Sequence, residues 1–176
     1  MTQPVMDSPG PSSSIFNDLQ VREQALEVAR SLVALGLGKG DVVSVVLPNC
    51  LEYPAIVLGC LYLGLTVSPA NPGYTAHEVS RQLSASEAKL IFGHSSQIVK
   101  IRQTLDILGE NAKSLKALIV GDKIDNCQEF IHWDDFLGLS SGQVPAQAEI
   151  DVKNDVAVLP FSSGTTGVPK VGFQSF

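Results

Sequence analysis

The residues best suited to chemistry crowd into one stretch, LPFSSGTTGVPKVGFQSF, residues 159–176. Ser162, Ser163, Thr165 and Thr166 bring hydroxyl groups, Gly164 and Gly167 bring backbone freedom, and Lys170 brings a cation. A phosphate group needs that set. Glycine lets the main chain approach and adopt positive φ, hydroxyls and amides bond the oxygens, and an ammonium offsets the charge. The spacing is not that of the Walker A loop, G-x-x-x-x-G-K-[ST]. On composition alone, a flexible Gly/Ser/Thr linker fits these residues as well as a phosphate cradle does.

A cradle has to hang from rigid elements, and the chain supplies a regular alternation of them. Residues 20–35 place Val21, Ala25, Val28, Ala29, Leu32 and Leu35 at helical spacing. GLGKGD then turns into DVVSVVLP, a β-branched run that reads as a buried strand. A helix within residues 51–65 follows, with Pro54 in its first turn or kinking it. TVSPANP reads as strand then turn, and Thr75 with Glu78 forms a capping box that starts a helix to about Leu83. AKLIFG, KALIVGD and DVAVLPF read as further strands, residues 97–108 as a helix and HWDDFLG as a short one. This alternation predicts an α/β fold, a doubly wound, mostly parallel sheet with flanking helices. The phosphate-like stretch follows its last strand, where a site at the carboxyl edge of such a sheet belongs.

Other motif matches fail on context. Gly36, Gly38 and Gly40 resemble a dinucleotide-binding cluster, but they lie between helix and strand, the reverse of the order that motif requires. They read as a helix stop and a turn. Gly138-Leu-Ser140-Ser-Gly142 matches G-x-S-x-G, the nucleophile elbow of serine hydrolases. The elbow needs a strand before it and a helix after, whereas HWDDFL precedes this one and the proline-containing QVPAQAE follows. Asp134 and Asp135 would point about 100° apart on a helix, as solvated charges rather than an acid/base pair.

Composition excludes further classes. With 176 residues, 44% of them hydrophobic and only 17% charged, the chain suits one buried α/β domain or a piece of a larger one. A net charge of −6 with scattered basic residues argues against nucleic acid and against an acidic membrane surface. Cys50, Cys60 and Cys127 form no ligand spacing with His77, His94 and His132, so no metal site is expected, and the thiols read as reduced. YPAIVLGCLYLGLTV, residues 53–67, is 15 residues long, short of the ~20 that cross a bilayer as a helix. The N-terminal MTQPVMDSPGPSSS lacks the order of a secretory signal. Residues 1–15 read as a disordered Pro/Ser-rich tail. The expected location is cytoplasmic, or the peroxisome for a complete product, although residues 174–176, QSF, are no peroxisomal tripeptide.

Taken whole, SSGTTGVPK resembles the phosphate-binding signature of the adenylate-forming superfamily, which includes acyl-CoA synthetases, 4-coumarate–CoA ligases and firefly-type luciferases. GLGKGDVVSVVLPNCLEYPAIVLGCLYLG and ANPGYTAHEVSRQLSASEAKLIF are similar to the family segments that precede it, in the same order. The resemblance implies a carboxylate attacking the α-phosphate of ATP with Mg2+, and coenzyme A then displacing AMP. It implies that Ser162, Ser163, Gly164, Thr165, Thr166, Gly167 and Lys170 contact the departing phosphates, with Lys170 electrostatic and mobile. No residue of this chain is given a catalytic or metal-binding role.

The resemblance also sets limits. It makes residues 16–176 a partial N-terminal AMP-binding domain, incomplete and without the family's C-terminal domain. After the lysine, members read Gly, an apolar strand and a Thr-His pair, whereas this chain reads Val171-Gly-Phe-Gln-Ser-Phe176. The motifs for adenine, ribose, magnesium and the acyl chain lie downstream in the family. The expectation is a chain inactive by itself, whose last strand leaves an edge uncovered. The alternative is a non-catalytic module that binds a nucleotide or pairs with a full-length relative.

Overall fold

Helix α1, Asp18–Ala34, starts where the sequence supplies a cap. Asn17 Oδ1 accepts from the Gln20 N–H at 2.9 Å, and Gln20 Oε1 accepts from the Asn17 N–H at 2.9 Å. This reciprocal capping box satisfies donors that the first helical turn would otherwise leave open. The computed structural model describes residues 17–124, 128–140, 142–162, 170–172 and 174–175. Strand β1 is Val42–Val46, helix α2 is Glu52–Tyr62 and strand β2 is Thr66–Pro69. Helix α3, Ala76–Ser86, opens with the expected Thr75–Glu78 capping box and runs past Leu83 to a left-handed cap at Glu87. Strand β3 is Leu90–His94, helix α4 is Ile98–Leu108 and strand β4 is Lys116–Val120. Strand β5, Ile131–His132, leads into helix α5, Trp133–Gly138, and strand β6 is Val156–Val158. Three short strands follow: β7 Phe161–Ser162, β8 Lys170–Val171 and β9 Gln174–Ser175.

The main sheet has the order β5-β4-β3-β1-β2-β6-β9, parallel throughout except for the antiparallel β6–β9 pair. Parallel strands need both faces covered, and alternate residues of each strand serve the two faces. On one face Val43, Val45, Leu90, Phe92, Leu118 and Val120 pack with α1, α2 and α5. On the other, Val46, Ile91 and Ile119 pack with α3 and α4. Phe92 and Phe136 meet edge to face with ring centroids 5.8 Å apart, joining the sheet centre to α5. Helices α1 and α2 come close at Gly59, where an added Cβ would lie 2.7 Å from the Ala25 carbonyl oxygen.

Two expectations need correcting. The strand read as DVAVLPF stops at Val158, because Pro160 offers no N–H to continue the ladder. Phe161 pairs instead in the separate β7–β8 ladder. Nor is β6 a bare edge. Gly172 N–H donates to the Pro160 carbonyl at 2.9 Å, and β9 then returns antiparallel along β6. Among the described residues, no helix is long and apolar enough to cross a membrane.

The turn from α1 into β1 is pinned by Asp41, whose Oδ2 accepts the Gly38 N–H at 3.0 Å and whose Oδ1 pairs with Lys89 beside β3. Burial raises the Asp41 pKa, but the Lys89 ammonium and the Gly38 N–H outweigh it and hold the group below its ordinary value. A depressed carboxylate pKa stabilises the fold fully above the unfolded value of ~3.9, and that contribution is lost as pH falls through the folded value. Lys89 is 62% exposed, so solvent screening keeps the effect small. Asp41→Asn is expected to destabilise by up to about 1 kcal/mol near pH 7 and to make no difference near pH 2. Chemical denaturation at both pH values checks this, and a difference that persists in acid would rule the ion pair out as its source.

Candidate functional site

The candidate loop leaves the sheet from β6, so the anchoring of β6 decides how well it is placed. Thr66 Oγ1 donates to the Val156 carbonyl at 2.7 Å, and the Leu159 N–H donates to the Val67 carbonyl at 2.8 Å. On the approach to β6, Lys39 Nζ reaches the Glu149 carbonyl at 2.7 Å and Asp155 Oδ2 at 2.7 Å. Asp155 also accepts the Asp151 N–H at 2.7 Å. The Lys39 ammonium first, and then this amide, hold the Asp155 carboxyl below the ordinary range. A strand of three residues is thus tied to its neighbour and to the α1–β1 turn by contacts distant in sequence.

Beyond Pro160 the chain forms the β7–β8 ladder, in which Phe161 faces Val171 and Ser162 faces Lys170. Directly opposed antiparallel residues stand with Cα atoms about 4.5–5.5 Å apart. The first and last of the seven candidate phosphate residues are therefore brought together. Ser163, Gly164, Thr165, Thr166 and Gly167 lie outside the described residues.

The exit of β2, the strand beside β6, carries a second polar feature. Gly73 N–H donates to Asn71 Oδ1 at 2.8 Å, and the Pro72 carbonyl accepts from Gln97 Nε2 at 3.2 Å and from Lys100 Nζ. Gln82 Nε2 holds the Pro69 carbonyl at 2.9 Å. Burial lowers the Lys100 pKa. Sequence reading gave Lys100 no role, because its only signal is one lysine within a helical run. The tertiary fold alone brings it to the carboxyl edge of the sheet.

The remaining candidates separate from this edge or become structural. His132 Nε2 donates to the Gly121 carbonyl at 3.0 Å, and its Nδ1 faces the Asp134 N–H at 3.4 Å as the cap of α5. His94 Nδ1 accepts the Ser96 N–H at 3.2 Å, so the neutral ring carries its proton on Nε2. Ser140 follows helix α5, with its N–H bonded to the Leu137 carbonyl at 2.9 Å. That is not the strand-to-helix elbow a nucleophilic serine needs. Asp134 and Asp135 are exposed on α5. Full burial pushes the Cys60 thiol up to about 12, while burial and then Glu52 raise Cys50, so neither is an activated nucleophile. Cys127 lies outside the described residues.

Comparison with known proteins bears on this geometry. The profile of the AMP-binding enzyme family matches residues 19–172. The chain belongs to that family. It is 34% identical over 161 residues to 4-coumarate–CoA ligase 3 of Oryza sativa subsp. japonica, covering 92% of this chain and 27% of the relative. The chain spans about a quarter of the length of the curated relatives it matches. Its fold superposes on a red-emitting luciferase from Phrixothrix hirtus with a TM-score of 0.81 at 23% identity, over 93% of this chain and 31% of that one. An anthranilate CoA ligase in complex with anthranoyl-AMP gives a TM-score of 0.75 at 22% identity, over 89% and 29% of the respective chains. The mostly parallel sheet with its flanking helices matches part of the N-terminal domain of adenylate-forming enzymes.

Proposed function

We propose that these residues form the phosphate-binding part of an AMP-forming acid–thiol ligase. In the reaction, a carboxylate oxygen attacks the α-phosphorus of ATP and pyrophosphate leaves, giving an acyl-adenylate. The thiol of coenzyme A then attacks the acyl carbon, AMP departs, and the thiol proton passes to solvent. The observation that carries the reading is the β7–β8 ladder setting Ser162 opposite Lys170 in a chain matched by the AMP-binding family. The relatives named for CoA ligation and the neighbour holding an acyl-adenylate support the substrate class, a small carboxylic acid.

In this reading Ser162, Ser163, Thr165 and Thr166 offer hydroxyls to the β- and γ-phosphates, while Gly164 and Gly167 let the main-chain amides approach. Lys170 offsets the charge that builds on the departing pyrophosphate, a role fixed donors fill without reorganising during the reaction. Magnesium is commonly held by one or two carboxylates together with substrate phosphates. Among the described residues, no cluster of acidic, histidine or cysteine side chains fits it. No step is derived through the ion.

Titration of pyrophosphate into the 176-residue chain at low ionic strength, followed by NMR, tests the loop assignment. Saturable shifts are expected, and Lys170→Ala should weaken binding about tenfold, in line with ~1.5–3 kcal/mol for a charge-assisted contact. Near-UV circular dichroism verifies that the variant keeps its fold. Equal affinity in a folded variant would remove Lys170 from the site.

A further inference from the structure

Helices α1 and α2 leave a groove of about 740 Å³ open on their shared face, with Val21, Leu26, Leu58 and Tyr62 in its walls and Val144 on its far side. Its hydrocarbon is uncovered, since Leu58 is 47% exposed and Val144 42%. Leu19, 59% exposed, continues the α1 wall: Leu19, Arg22 and Leu26 follow at i, i+3 and i+7 and form one ridge. The far wall is built rather than loose. Tyr62 Oη donates to the Pro145 carbonyl at 3.0 Å, and the Ala148 N–H donates to the Tyr62 carbonyl at 3.0 Å. A Cβ added at Gly64 would lie 3.1 Å from Ala148 Cβ and 3.2 Å from Ile150 Cδ1, so this segment is seated on the turn after α2. The charged members of the groove are Asp18 and Arg22, one helical turn apart on α1. Neither has an ion-pair partner among the described residues.

We propose that a second copy of this chain covers the groove in a two-fold dimer, with the two α1 helices antiparallel and the α1 ridge of each copy seated at the groove of the other. The charges single out this occupant. In an antiparallel pairing centred between Asp18 and Arg22, each Asp18 faces the Arg22 of the other copy. The contact is made twice, because a two-fold interface uses the same patch on both subunits. The same centring sets Leu19 opposite Val21 of the second copy, ridge against groove wall. With one acid and one base the patch carries no net charge, so a strongly charged partner gains nothing there. An identical patch turned through 180° satisfies both groups.

The two kinds of contact do different work. Covering Leu19, Leu58 and Val144 supplies affinity, which is proportional to apolar area and has no direction. The paired charges set the register and reject other alignments, because like charges brought together across an interface are strongly unfavourable. Each copy carries a net charge of −6. At physiological ionic strength charges more than ~8 Å apart are largely screened, so that repulsion leaves the close pairs in place. No residue of strands β6 to β9 lines the groove, so the dimer stands independently of the phosphate-loop reading.

Analytical ultracentrifugation of the full 176-residue chain at physiological ionic strength, from micromolar to millimolar concentration, tests the proposal. The mass is expected to rise from monomer towards dimer. Asp18→Arg and Arg22→Asp should each weaken association at least about tenfold, since like charges then face each other. Mixed in equal amounts, the two variants should associate again, because one patch then carries two cations and the other two acids. Leu58→Asp should also weaken association, by placing a charge in the apolar wall. All three positions are exposed, and urea denaturation verifies that each variant keeps its fold. A monomer at every concentration would overturn the proposal, the groove then being open or covered from within the chain. A dimer indifferent to all three substitutions would overturn it as well, since its interface would lie elsewhere. So would a mixture of the two folded charge variants that stays monomeric.

Discussion

Given ATP, magnesium, coenzyme A and 4-coumarate, a polypeptide of these 176 residues is expected to form no thioester above the uncatalysed background. Enzymes of ordinary efficiency accelerate their reactions by about 10⁶-fold or more. Much of that comes from holding reacting atoms about 3–3.5 Å apart in line, an advantage worth ~7–11 kcal/mol. The described part of the proposed phosphate loop is one end, closed by a two-residue ladder and anchored on a three-residue strand. On that proposal its role is to meet charge on a leaving pyrophosphate. It offers no described group that would orient a carboxylate on the α-phosphorus, and the chain spans 27% of the rice ligase it resembles. Product analysis by mass spectrometry, with a complete 4-coumarate–CoA ligase as positive control, checks the expectation. Thioester formed by the 176 residues above the uncatalysed background would overturn it. Weakened pyrophosphate binding in Lys170→Ala is a separate outcome, because the proposed binding needs the loop alone whereas turnover needs positioning as well.

The architecture was legible wherever local chemistry agreed with the fold. Thr75 announces a helix because its side-chain oxygen has an obvious partner in the N–H three residues on, and that capping box forms. The Asn17 box at the start of α1 went unread, and the helix was begun only at Gln20. The β-branched run of β1 and the apolar run of β3 read as buried strands because both faces of a parallel sheet must be apolar. Strand β5 was missed. Two residues carry no periodicity, and Ile131–His132 is extended only because β4 lies beside it. The run DVAVLPF was read as one strand across Pro160, and the rearrangement there depends on β8 and β9 returning, which no local pattern states. For the candidate site, residue types showed where a phosphate loop could be. They did not show that Ser162 and Lys170 would face each other, or that Lys100 would reach the neighbouring strand exit. Both are long-range facts, set by strand order rather than by spacing.

Gly59→Leu is expected to lower the urea midpoint sharply, removing about 1–3 kcal/mol or more of stability. Gly59 sits within α2, where glycine is a poor choice by about 1 kcal/mol relative to alanine. Its presence therefore suggests a packing reason, and the geometry supplies one. A Cβ there would lie 2.7 Å from the Ala25 carbonyl oxygen, 2.7 Å from Val28 Cγ1 and 2.9 Å from Val28 Cβ. One of those atoms is backbone, and Val28 is fully buried with little room to turn. Relief would require the two helices to move apart. That movement would uncover Val28, Leu32, Ile56 and Cys60, all of which pack into the same core as β1 and β3. Overpacking alone costs about 1–3 kcal/mol, occasionally more, against a total stability of ~5–15 kcal/mol for an ordinary domain. A small, partly open sheet stands at the low end of that range. Gly59→Ala divides the two effects. Its helix gain and its 2.7 Å contacts oppose each other, so a loss of stability would show that the close crossing outweighs propensity. Gly38→Ala is the control, since a Cβ there meets nothing within 4 Å. Urea denaturation of the three variants, followed by far-UV circular dichroism, measures all of this. If Gly59→Leu melted at the same urea concentration as Gly38→Ala, α1 and α2 would not be packed backbone against side chain, and the core that carries β6 and its loop would have to be drawn differently.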